Sequence, residues 1–577
     1  MSPEQSKQII DGILADKALK NDPRLKSEVL LQHMVKTLGE AGELMEVQAG
    51  GEGRVPAFLD SSTGKLYLIV PGSRDARQLL KKWFGWPAHF GWEEKLGMDL
   101  DGSGLPLRTL HTLSHYDPEQ HVLYLNEWGG HFLRIDGEGR ITRHINGHEG
   151  ILFQEAAERA HATDLEEAQQ YTGPAWRLGE NSALAQHIFN VVMFDACVGI
   201  DRDTAHGILM GFLLAMLFRE RVQTVPILHF HSGASGTKKT SCAVAIGWVL
   251  FGMSFKATAC PEDKKEAENV LLNSPGYVVL DESNKMYLLQ DMLKAVVTGA
   301  YLRRRKYYTT AAEETYPVNT GVVLTTNSLS ITEDALTARI FQLNVAAGDK
   351  EWKSEFQIAE EWRTGCLREV LWTELVGRAA AAMREITRAH QTGTAHLTVS
   401  HRMSSFWVFL RMLARQEGCE DFLLKSIEAI SQMQTSTMQS QDDLAPIFDE
   451  VRDGMEKKVG VYQGEWMTAA GWRDMLMRHA PLRGFSQAME KLISSVARLS
   501  NRMEQTKDRL GIEVRSPKGE AKEYRLLPHT HGGVGVLSLR TSLFIEIVGN
   551  RDIKEGEACV WDSNGVGWGG GRVKSLG

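Results

Sequence analysis

The stretch 231–241 contains residue types at the spacing that nucleotide phosphates require. It reads His-Ser-Gly-Ala-Ser-Gly-Thr-Lys-Lys-Thr-Ser, so that Gly233, Lys239 and Thr240 occupy the first, seventh and eighth positions of the phosphate-loop pattern G-x-x-x-x-G-K-[ST]. In such a loop, small residues let backbone N–H groups point at a phosphate, the lysine reaches the β- and γ-phosphates, and the hydroxyl binds Mg²⁺. The sequence therefore predicts ATP and Mg²⁺ as cofactors. The predicted nucleotide-binding residues are Gly233, Ala234, Ser235, Gly236, Thr237, Lys238, Lys239, Thr240 and Ser241.

One position departs from the pattern, because Lys238 stands where the second glycine is expected. Lys239 keeps the register and is assigned as the phosphate lysine. We expect residue 238 to begin a helix and not to require a positive φ. The alternative is a chance match in a loop rich in glycine, serine and lysine.

The segments around this loop are of the kind that would position it. The apolar run 225–231 predicts a strand, and 241–250 predicts the opening of a helix. A helix N-terminus adds positive potential next to a bound phosphate.

A second motif, Gly-Tyr-Val-Val-Leu-Asp-Glu at 276–282, is an apolar strand that ends in two carboxylates. An apolar run of this kind is typical of a strand buried on both faces of a parallel sheet, and ligands lie at the carboxyl ends of such strands. Asp281 is predicted to bind Mg²⁺ together with Thr240, and Glu282 to polarise the attacking water. The alternative is a core strand followed by a polar turn. The spacing from Lys239 favours the motif, since it leaves room for one crossover helix and one more strand.

Between 298 and 319 the sequence predicts a β-hairpin that carries the densest basic run of the chain. A helix over 287–297 precedes it, and a second β-like run covers 314–319, with the turn at 311–314. Three interpretations compete: a lining for a DNA channel, an arginine that serves a neighbouring subunit's ATP, and a solvated hairpin face. The glutamates predicted in the turn weaken the first. The basic residues are Arg303, Arg304, Arg305 and Lys306.

In this order, the phosphate loop, the V-V-L-D-E strand, the T-G-x-x-x-R-R-R-K-x-Y-T-T hairpin and the strand 320–327 resemble superfamily-3-type AAA+ helicases of phages, plasmids and mobile elements. These are relatives of the poxvirus-type primase-helicase ATPases. The resemblance covers about 200–375 well. It implies that Asn327 contacts the γ-phosphate or the lytic water. It further implies a hexameric ring moving along single-stranded or forked DNA, with Arg339 as first candidate for the finger on a neighbour's ATP. A plain surface arginine is the alternative for Arg339, and a separate primase is a candidate partner.

Length and composition set limits on the class of protein. At 577 residues the chain is long enough for three or four domains, and its net charge of −8 does not indicate nucleic-acid binding as a whole. Any DNA contact must therefore come from local basic patches. The six cysteines lack metal-binding spacing and predict free thiols in a reducing cytoplasm. The polar N-terminus predicts no signal peptide, and the longest apolar run, 207–218, predicts a buried helix and not a membrane span.

The predicted fold class is multidomain α/β, with an AAA+ P-loop ATPase core, an N-terminal α/β accessory domain and a C-terminal winged helix. In the accessory domain, strands are predicted within 57–70 and 122–135, and His144 and His148 are interpreted as structural. A polar linker is expected at 432–441. The predicted domains are a loosely attached polar arm (1–27), the accessory domain (28–152), a helical linker (153–199), the ATPase core (200–375), a helical collar and linker (376–444), the winged helix (445–528) and a Gly-rich tail (529–577).

Basic residues concentrate in the predicted winged helix, which makes it the best candidate for DNA contact in an acidic chain. The alternative is a protein-docking module. The predicted DNA-contacting residues are Arg498, Arg502, Arg515 and Lys518.

Three functions compete at this point. The first is an ATP-driven DNA motor, a replicative helicase of a phage, plasmid or integrated element. The second is an origin-binding initiator or loader whose ATPase is a switch. The third is a defence- or element-associated NTPase scaffold that acts on protein partners.

Overall fold

The computed structural model describes most of the chain. The ranges left undescribed are 1, 50–52, 86–90, 102, 195–199, 233–235, 262, 275, 282–288, 300, 306–312, 318–319, 327–333, 347–354, 394–398, 400, 441–447, 449–450, 452–463, 480–494, 498, 501–502, 504–511, 518–520, 528–560, 563–564 and 567–577. The chain divides into two compact units, Met1–Gln441 and Asp442–Gly577. Both helices and sheets are abundant, so the prediction of a multidomain α/β chain is confirmed.

The N-terminal region packs helices on a small sheet ordered β3-β2-β1-β4. Strands β2 and β3 pair antiparallel across a tight turn at 61–64, as the sequence predicted within 57–70. The elements are α1 (Pro3–Ala15), α2 (Lys17–Lys20), α3 (Pro23–Ala41), β1 (Gly42–Ala49), β2 (Gly53–Asp60), β3 (Lys65–Leu68), α4 (Arg74–Phe84), α5 (Trp92–Leu100) and β4 (Leu107–Arg108).

The expectation of a loosely attached arm over 1–27 is wrong for the first helix of that range. Ser2 and Pro3 start α1, the Ser2 hydroxyl accepting from the backbone N–H of Gln5. Ser6 and Ile10 are buried, and Ile10 belongs to the same apolar cluster as α3 and α4. Although most residues of α1 are exposed, one buried stripe suffices to fix the helix to the core.

A four-stranded antiparallel meander follows, ordered β6-β7-β8-β9. Its central hairpin, β7 with β8, matches the prediction within 122–135. Every residue of β7 is buried, which places the meander inside the main hydrophobic core. The elements are β5 (Leu110–His111), β6 (Ser114–Asp117), β7 (Val122–Asn126), β8 (His131–Ile135), β9 (Ile141–Ile145) and β10 (Leu152–Phe153).

The segment 153–199 is not the helical linker that the sequence predicted. Its α-helices are short, α6 (Leu165–Gln169) and α7 (Ala183–His187), followed by β11 (Met193–Phe194). Trp176 is fully buried and donates its indole N–H to the carbonyl of Gly207 at 2.7 Å. This segment is therefore part of the core, held by specific hydrogen bonds more than by helical periodicity.

The central sheet has six strands in the order β11-β18-β12-β17-β14-β13, and its last five strands are parallel. Helix α8 lies under it, as expected for the apolar run 207–218, because Met216 and Phe212 fill the space beside Gly321. The elements are α8 (Arg202–Leu217), β12 (Ile227–His231), α9 (Lys239–Phe251), β13 (Thr258–Ala259), α10 (Lys264–Leu272), β14 (Tyr277–Asp281), α11 (Gln290–Val297), β15 (Tyr301–Arg305), β16 (Glu313–Pro317), β17 (Gly321–Thr326), α12 (Asp334–Thr337) and β18 (Ile340–Ala346).

Four helices complete the first unit: α13 (Glu355–Thr364), α14 (Leu367–Gln391), α15 (Ser404–Gln416) and α16 (Glu420–Ser440). Helix α14 is buried along most of its length. The polar linker expected at 432–441 is wrong up to residue 440, since α16 continues through it. Met433 and Gln434 are buried there, and the Gln434 side-chain N–H donates to the carbonyl of Ile340 at 3.1 Å.

The second unit has its own small core around Trp472, whose indole N–H donates to the carbonyl of Tyr524 at 3.1 Å. A helix lies next to a three-stranded sheet ordered β19-β21-β20. The elements are β19 (Met467–Thr468), α17 (Ala469–His479), β20 (Ile512–Arg515), β21 (Glu523–Leu526), β22 (Trp561–Asp562) and β23 (Gly565–Val566). Within the described residues of both units, no helix is long and apolar enough to cross a bilayer.

Candidate nucleotide site

Three sequence-predicted residues meet at the carboxyl edge of the central sheet. The Thr240 hydroxyl donates to Oδ1 of Asp281 at 2.9 Å, although the two residues lie far apart in sequence. Lys239 and Thr240 are the first two residues of α9, and Asp281 is the last residue of β14. The loop after β12 thus delivers a lysine and a hydroxyl to the point where a neighbouring strand delivers a carboxylate.

The position of β12 in the sheet favours a ligand site at this edge. From β12 the chain passes to the edge strand β13 and returns through β14 to β17, beside β12, and it then crosses to β18 on the other side of β12. In open parallel sheets, ligands bind outside the carboxyl ends of strands at such a switch point.

The Lys239 ammonium is directed into the loop. Only 8% of the residue is exposed, and Nζ lies 3.3 Å from the Thr237 hydroxyl and 3.5 Å from the Ser232 carbonyl. Burial lowers the pKa of Lys239, and the charge of Asp281 opposes this effect. Burial disfavours the charged form of this lysine, whereas a nearby negative charge favours it. A bound phosphate would therefore stabilise the ammonium.

Lys238 corrects one expectation from the sequence. Its backbone has φ 63°, in the left-handed region, where it forms the N-cap of α9. The expectation that this position does not require a positive φ is wrong. Because a side chain other than glycine pays about 1 kcal/mol for this conformation, Lys238 is strained where the phosphate-loop pattern has glycine.

Sequence reasoning missed Thr325, which completes the cluster. Its hydroxyl donates to Oδ1 of Asp281 and accepts from the Thr240 hydroxyl at 3.4 Å. Thr325 is buried near the end of β17, in register with Asp281 of β14. The sequence did contain a signal for Thr325, since the predicted strand ends in Thr-Thr-Asn, but only the asparagine was assigned a role.

Two histidines of β12 were also missed. His229 is fully buried, and burial lowers its pKa to about 3, so that it stays neutral at pH 7. Its Nε2 lies 3.4 Å from the Thr326 hydroxyl. Burial, together with the charge of Lys239, lowers the pKa of His231 at the end of the strand. Neutral imidazoles here add no positive charge that would compete with Lys239.

The oxygen donor set suits a hard divalent cation. Hydroxyl and carboxylate oxygens such as those of Thr240, Thr325 and Asp281 are the ligands that Mg²⁺ takes, usually with waters and substrate phosphates filling the remaining positions. The residues present therefore fit the predicted metal.

Several predicted residues lie outside this cluster or outside the described part of the chain. Gly236, Thr237 and Ser241 flank Lys239, but Gly233, Ala234, Ser235, Glu282 and Asn327 are not described. Arg339 lies at the opposite edge of the sheet, because its carbonyl accepts a hydrogen bond from the N–H of Ile227, the first residue of β12. Its Nη1 donates to the carbonyl of Ala335 at 2.5 Å. A five-residue strand spans about 15 Å, so Arg339 does not serve this chain's own site.

The basic hairpin forms as two paired strands, but its acidic residues are not where the sequence placed them. Glu313 and Glu314 belong to β16 and not to the turn, and by register they stand opposite Arg305 and Arg304. Arg303 pairs in the same way with Thr315. DNA contact by this hairpin stays a prediction. Lys306 lies outside the described residues.

In the second unit, two arginines of the small sheet are compensated by glutamates. Arg515 pairs with Glu523, Arg525 pairs with Glu513, and both guanidinium groups stack on Trp466 at 4.5 and 4.9 Å. Arg498, Arg502 and Lys518 lie outside the described residues. DNA binding by this unit stays a prediction.

No family model matches the chain, and no curated protein is significantly similar to it. Among solved structures, the apo NrS-1 C-terminal region is 12% identical with a TM-score of 0.37, covering 86% of this chain and 98% of that one. A second structure of the same region gives 12% and 0.35, covering 86% and 99%. SCCmec type IV Cch, an active helicase, is 14% identical with a TM-score of 0.38, covering 86% and 94%. Likeness at this level does not define a family, so the case for function rests on the site itself.

Proposed function

We propose that this chain is a Mg²⁺-dependent ATPase that drives movement along DNA, as a replicative helicase of a phage, plasmid or integrated element. The observation that carries the proposal is the hydrogen-bonded pair of Thr240 and Asp281 beside the buried Lys239, at the switch point of a parallel sheet. Since the sequence places these residues in a phosphate-loop pattern and an acidic strand end, pattern and geometry support the same chemistry.

Each residue of the cluster has a role in this proposal. Lys239 binds the β- and γ-phosphates and neutralises the charge that develops as water attacks in line. Thr240 and Asp281 hold Mg²⁺, which supplies further charge neutralisation when bound, and Thr325 orients the Asp281 carboxylate by its hydrogen bond. In the same proposal Glu282 and Asn327 act on the attacking water and the γ-phosphate.

The AAA+ core, the winged helix and the hexameric ring belong to this proposal as well. The parallel order β18-β12-β17-β14-β13 supports a nucleotide-binding core over 200–375. Helix α17 beside the sheet β19-β21-β20 supports a winged helix over 445–528. In a ring, Arg339 at the far edge of the sheet would act on a neighbour's nucleotide.

A second function is favoured by the charge compensation in the second unit, where Arg515 is ion-paired with Glu523. An ion-paired arginine has less charge to offer DNA phosphates, which argues against a motor that tracks along the DNA backbone. This second function is an origin-binding initiator or loader whose ATPase is a switch.

The proposal is tested by the Mg²⁺-ATPase rate of Lys239→Ala. Loss of the ammonium removes phosphate binding and charge neutralisation, and we expect the rate to fall by more than about 100-fold. Lys265→Ala, at an exposed position in α10, is the matched control and should retain the rate. An undiminished rate in Lys239→Ala would disprove the assignment of this site.

A further inference from the structure

Away from the nucleotide site, three metal-ligand side chains converge on the first unit's surface. His111, His115 and Glu220 each offer one ligand atom, and these atoms all lie within 4.8 Å of one another. His111 ends β5, His115 lies in β6, and Glu220 lies in the segment between α8 and β12. The two histidines are four residues apart in sequence, and the fold brings Glu220 to them from 105 residues beyond His115.

The two imidazoles lie in direct contact. Their rings stack with centroids 4.0 Å apart and planes inclined by 22°. Because the nitrogen lone pairs lie in the ring planes, the rings must turn out of this stack to meet on one ion. The contact keeps both side chains within reach of the same position.

The Glu220 carboxylate is held beside the two histidines by two contacts. Oε1 of Glu220 lies 3.1 Å from Nδ1 of His115, and the backbone N–H of Tyr116 donates to Oε2 at 3.0 Å. A hydrogen bond of this kind to the second oxygen is typical of carboxylates that ligate metals. The Glu220 side chain is one-third exposed, which leaves room for a water on the ion.

A second stacked histidine pair, His144 and His148 at 4.2 Å, also has a carboxylate beside it, since Oε1 of Glu149 lies 3.7 Å from Nε2 of His148. The other oxygen of Glu149 bonds with Tyr124 and Arg134. Within the described residues, convergence of three ligand atoms is found at His111, His115 and Glu220.

We propose that His111, His115 and Glu220 form a Zn²⁺ site with a fourth position open to water. Two imidazoles and one carboxylate, at about 2.0–2.2 Å from the ion, are a ligand set that Zn²⁺ takes in tetrahedral geometry. Binding in this geometry requires the two rings to rotate out of their stack, so that the three ligand atoms face one point. Imidazole ligands favour Zn²⁺ over Mg²⁺, which takes oxygen.

This site is separate from the proposed nucleotide site. A Cβ at Gly276, immediately before β14, would lie 3.7 Å from Oγ1 of Thr112 and 3.9 Å from Cβ of Leu113, the residues between the two histidines. The zinc site is therefore near the start of β14, and Asp281 is at its other end. A bound ion would link the β5–β6 segment to the segment after α8 through its ligands.

The test is Zn²⁺ binding to the metal-stripped full chain, in competition with a chromophoric chelator. We expect about one tight site, weakened more than about tenfold in His115→Ala and in Glu220→Gln. The Glu220→Gln variant still offers an oxygen to Tyr116 but lacks the charge. His148→Ala removes a ring from the other stacked pair and should bind Zn²⁺ as the unaltered chain does. Equal affinity in all four proteins would overturn the proposal.

A second measurement needs no variant. Zn²⁺ should protect His115 from carbethoxylation, followed by mass spectrometry, while the exposed His131 reacts as before. Unchanged modification of His115 with Zn²⁺ present would overturn the site even if the variants failed to fold. Neither measurement depends on ATPase activity, so its failure is distinct from failure of the proposed motor.

Discussion

At the scale of residues, the phosphate-loop pattern predicted which side chains meet but not how the backbone accommodates them. Lys239, Thr240 and Asp281 were assigned from spacing alone, and the structure brings them to one edge of the sheet. The positive φ of Lys238 was missed because sequence spacing does not report backbone conformation. The proposed zinc ligands were missed for another reason: two histidines four apart are a weak signal, and only the tertiary fold brings Glu220 to them.

Replacing Lys238 by glycine separates the two adjacent lysines. Glycine adopts the left-handed conformation without strain, so we expect Lys238→Gly to raise the free energy of unfolding by about 0.5–1 kcal/mol. The ATPase rate should be retained, because the Lys239 ammonium is the predicted phosphate contact and residue 238 contributes to the loop through its backbone, which glycine keeps. Urea denaturation and the Mg²⁺-ATPase assay measure the two effects.

The control for Lys238→Gly is Lys425→Gly, at an exposed position inside α16. There the same change should lower the free energy of unfolding by about 1 kcal/mol. Loss of ATPase in Lys238→Gly would mean that the register of the loop is assigned wrongly.

At the scale of elements, apolar runs predicted the strands and the buried helix well. Strands β12, β14 and β17 and helix α8 lie where continuous hydrophobic stretches placed them, since burial on both faces requires such sequences. Segments without periodicity were predicted poorly. The segment 153–199 and the polar end of α16 depend on tertiary hydrogen bonds and packing, which sequence periodicity does not encode.

Arg378 of α14 shows how one side chain holds such a segment. The residue is 2% exposed, its Nε donates to Glu374 at 2.8 Å, and its Nη1 donates to the carbonyls of Pro174 and Arg177 at 2.9 Å each. We expect Arg378→Leu to cost about 3–5 kcal/mol, because it leaves Glu374 and two carbonyls without this partner. Urea denaturation of the full chain measures the loss.

Arg388→Leu is the matched control in the same helix. Arg388 pairs with Glu385 at 2.9 Å, but more than half of its side chain is exposed. Removing an exposed ion pair should cost less than about 1 kcal/mol. Similar losses for the two variants would show that Arg378 does not hold the 174–177 segment.

At the scale of the whole molecule, the boundary between two compact units after Gln441 lies close to the predicted start of the winged helix at 445. The strand order was not predicted, because a single sequence does not show which non-adjacent strands pair. The ring and the path of DNA belong to the assembled protein and stay predictions. The chain's net charge of −8 means that any DNA contact is local and is weakened by salt.

In the proposed motor, ATP hydrolysis at the nucleotide site is coupled to DNA binding at a second site. The most direct measurement is the Mg²⁺-ATPase rate of the full chain with and without single-stranded DNA, at low salt, with Lys239→Ala as the blank. We expect severalfold stimulation by DNA that disappears in the blank and weakens as salt is raised. A substantial ATPase rate that DNA does not change would contradict the motor and favour the switch or scaffold, and the absence of any ATPase would contradict the site itself.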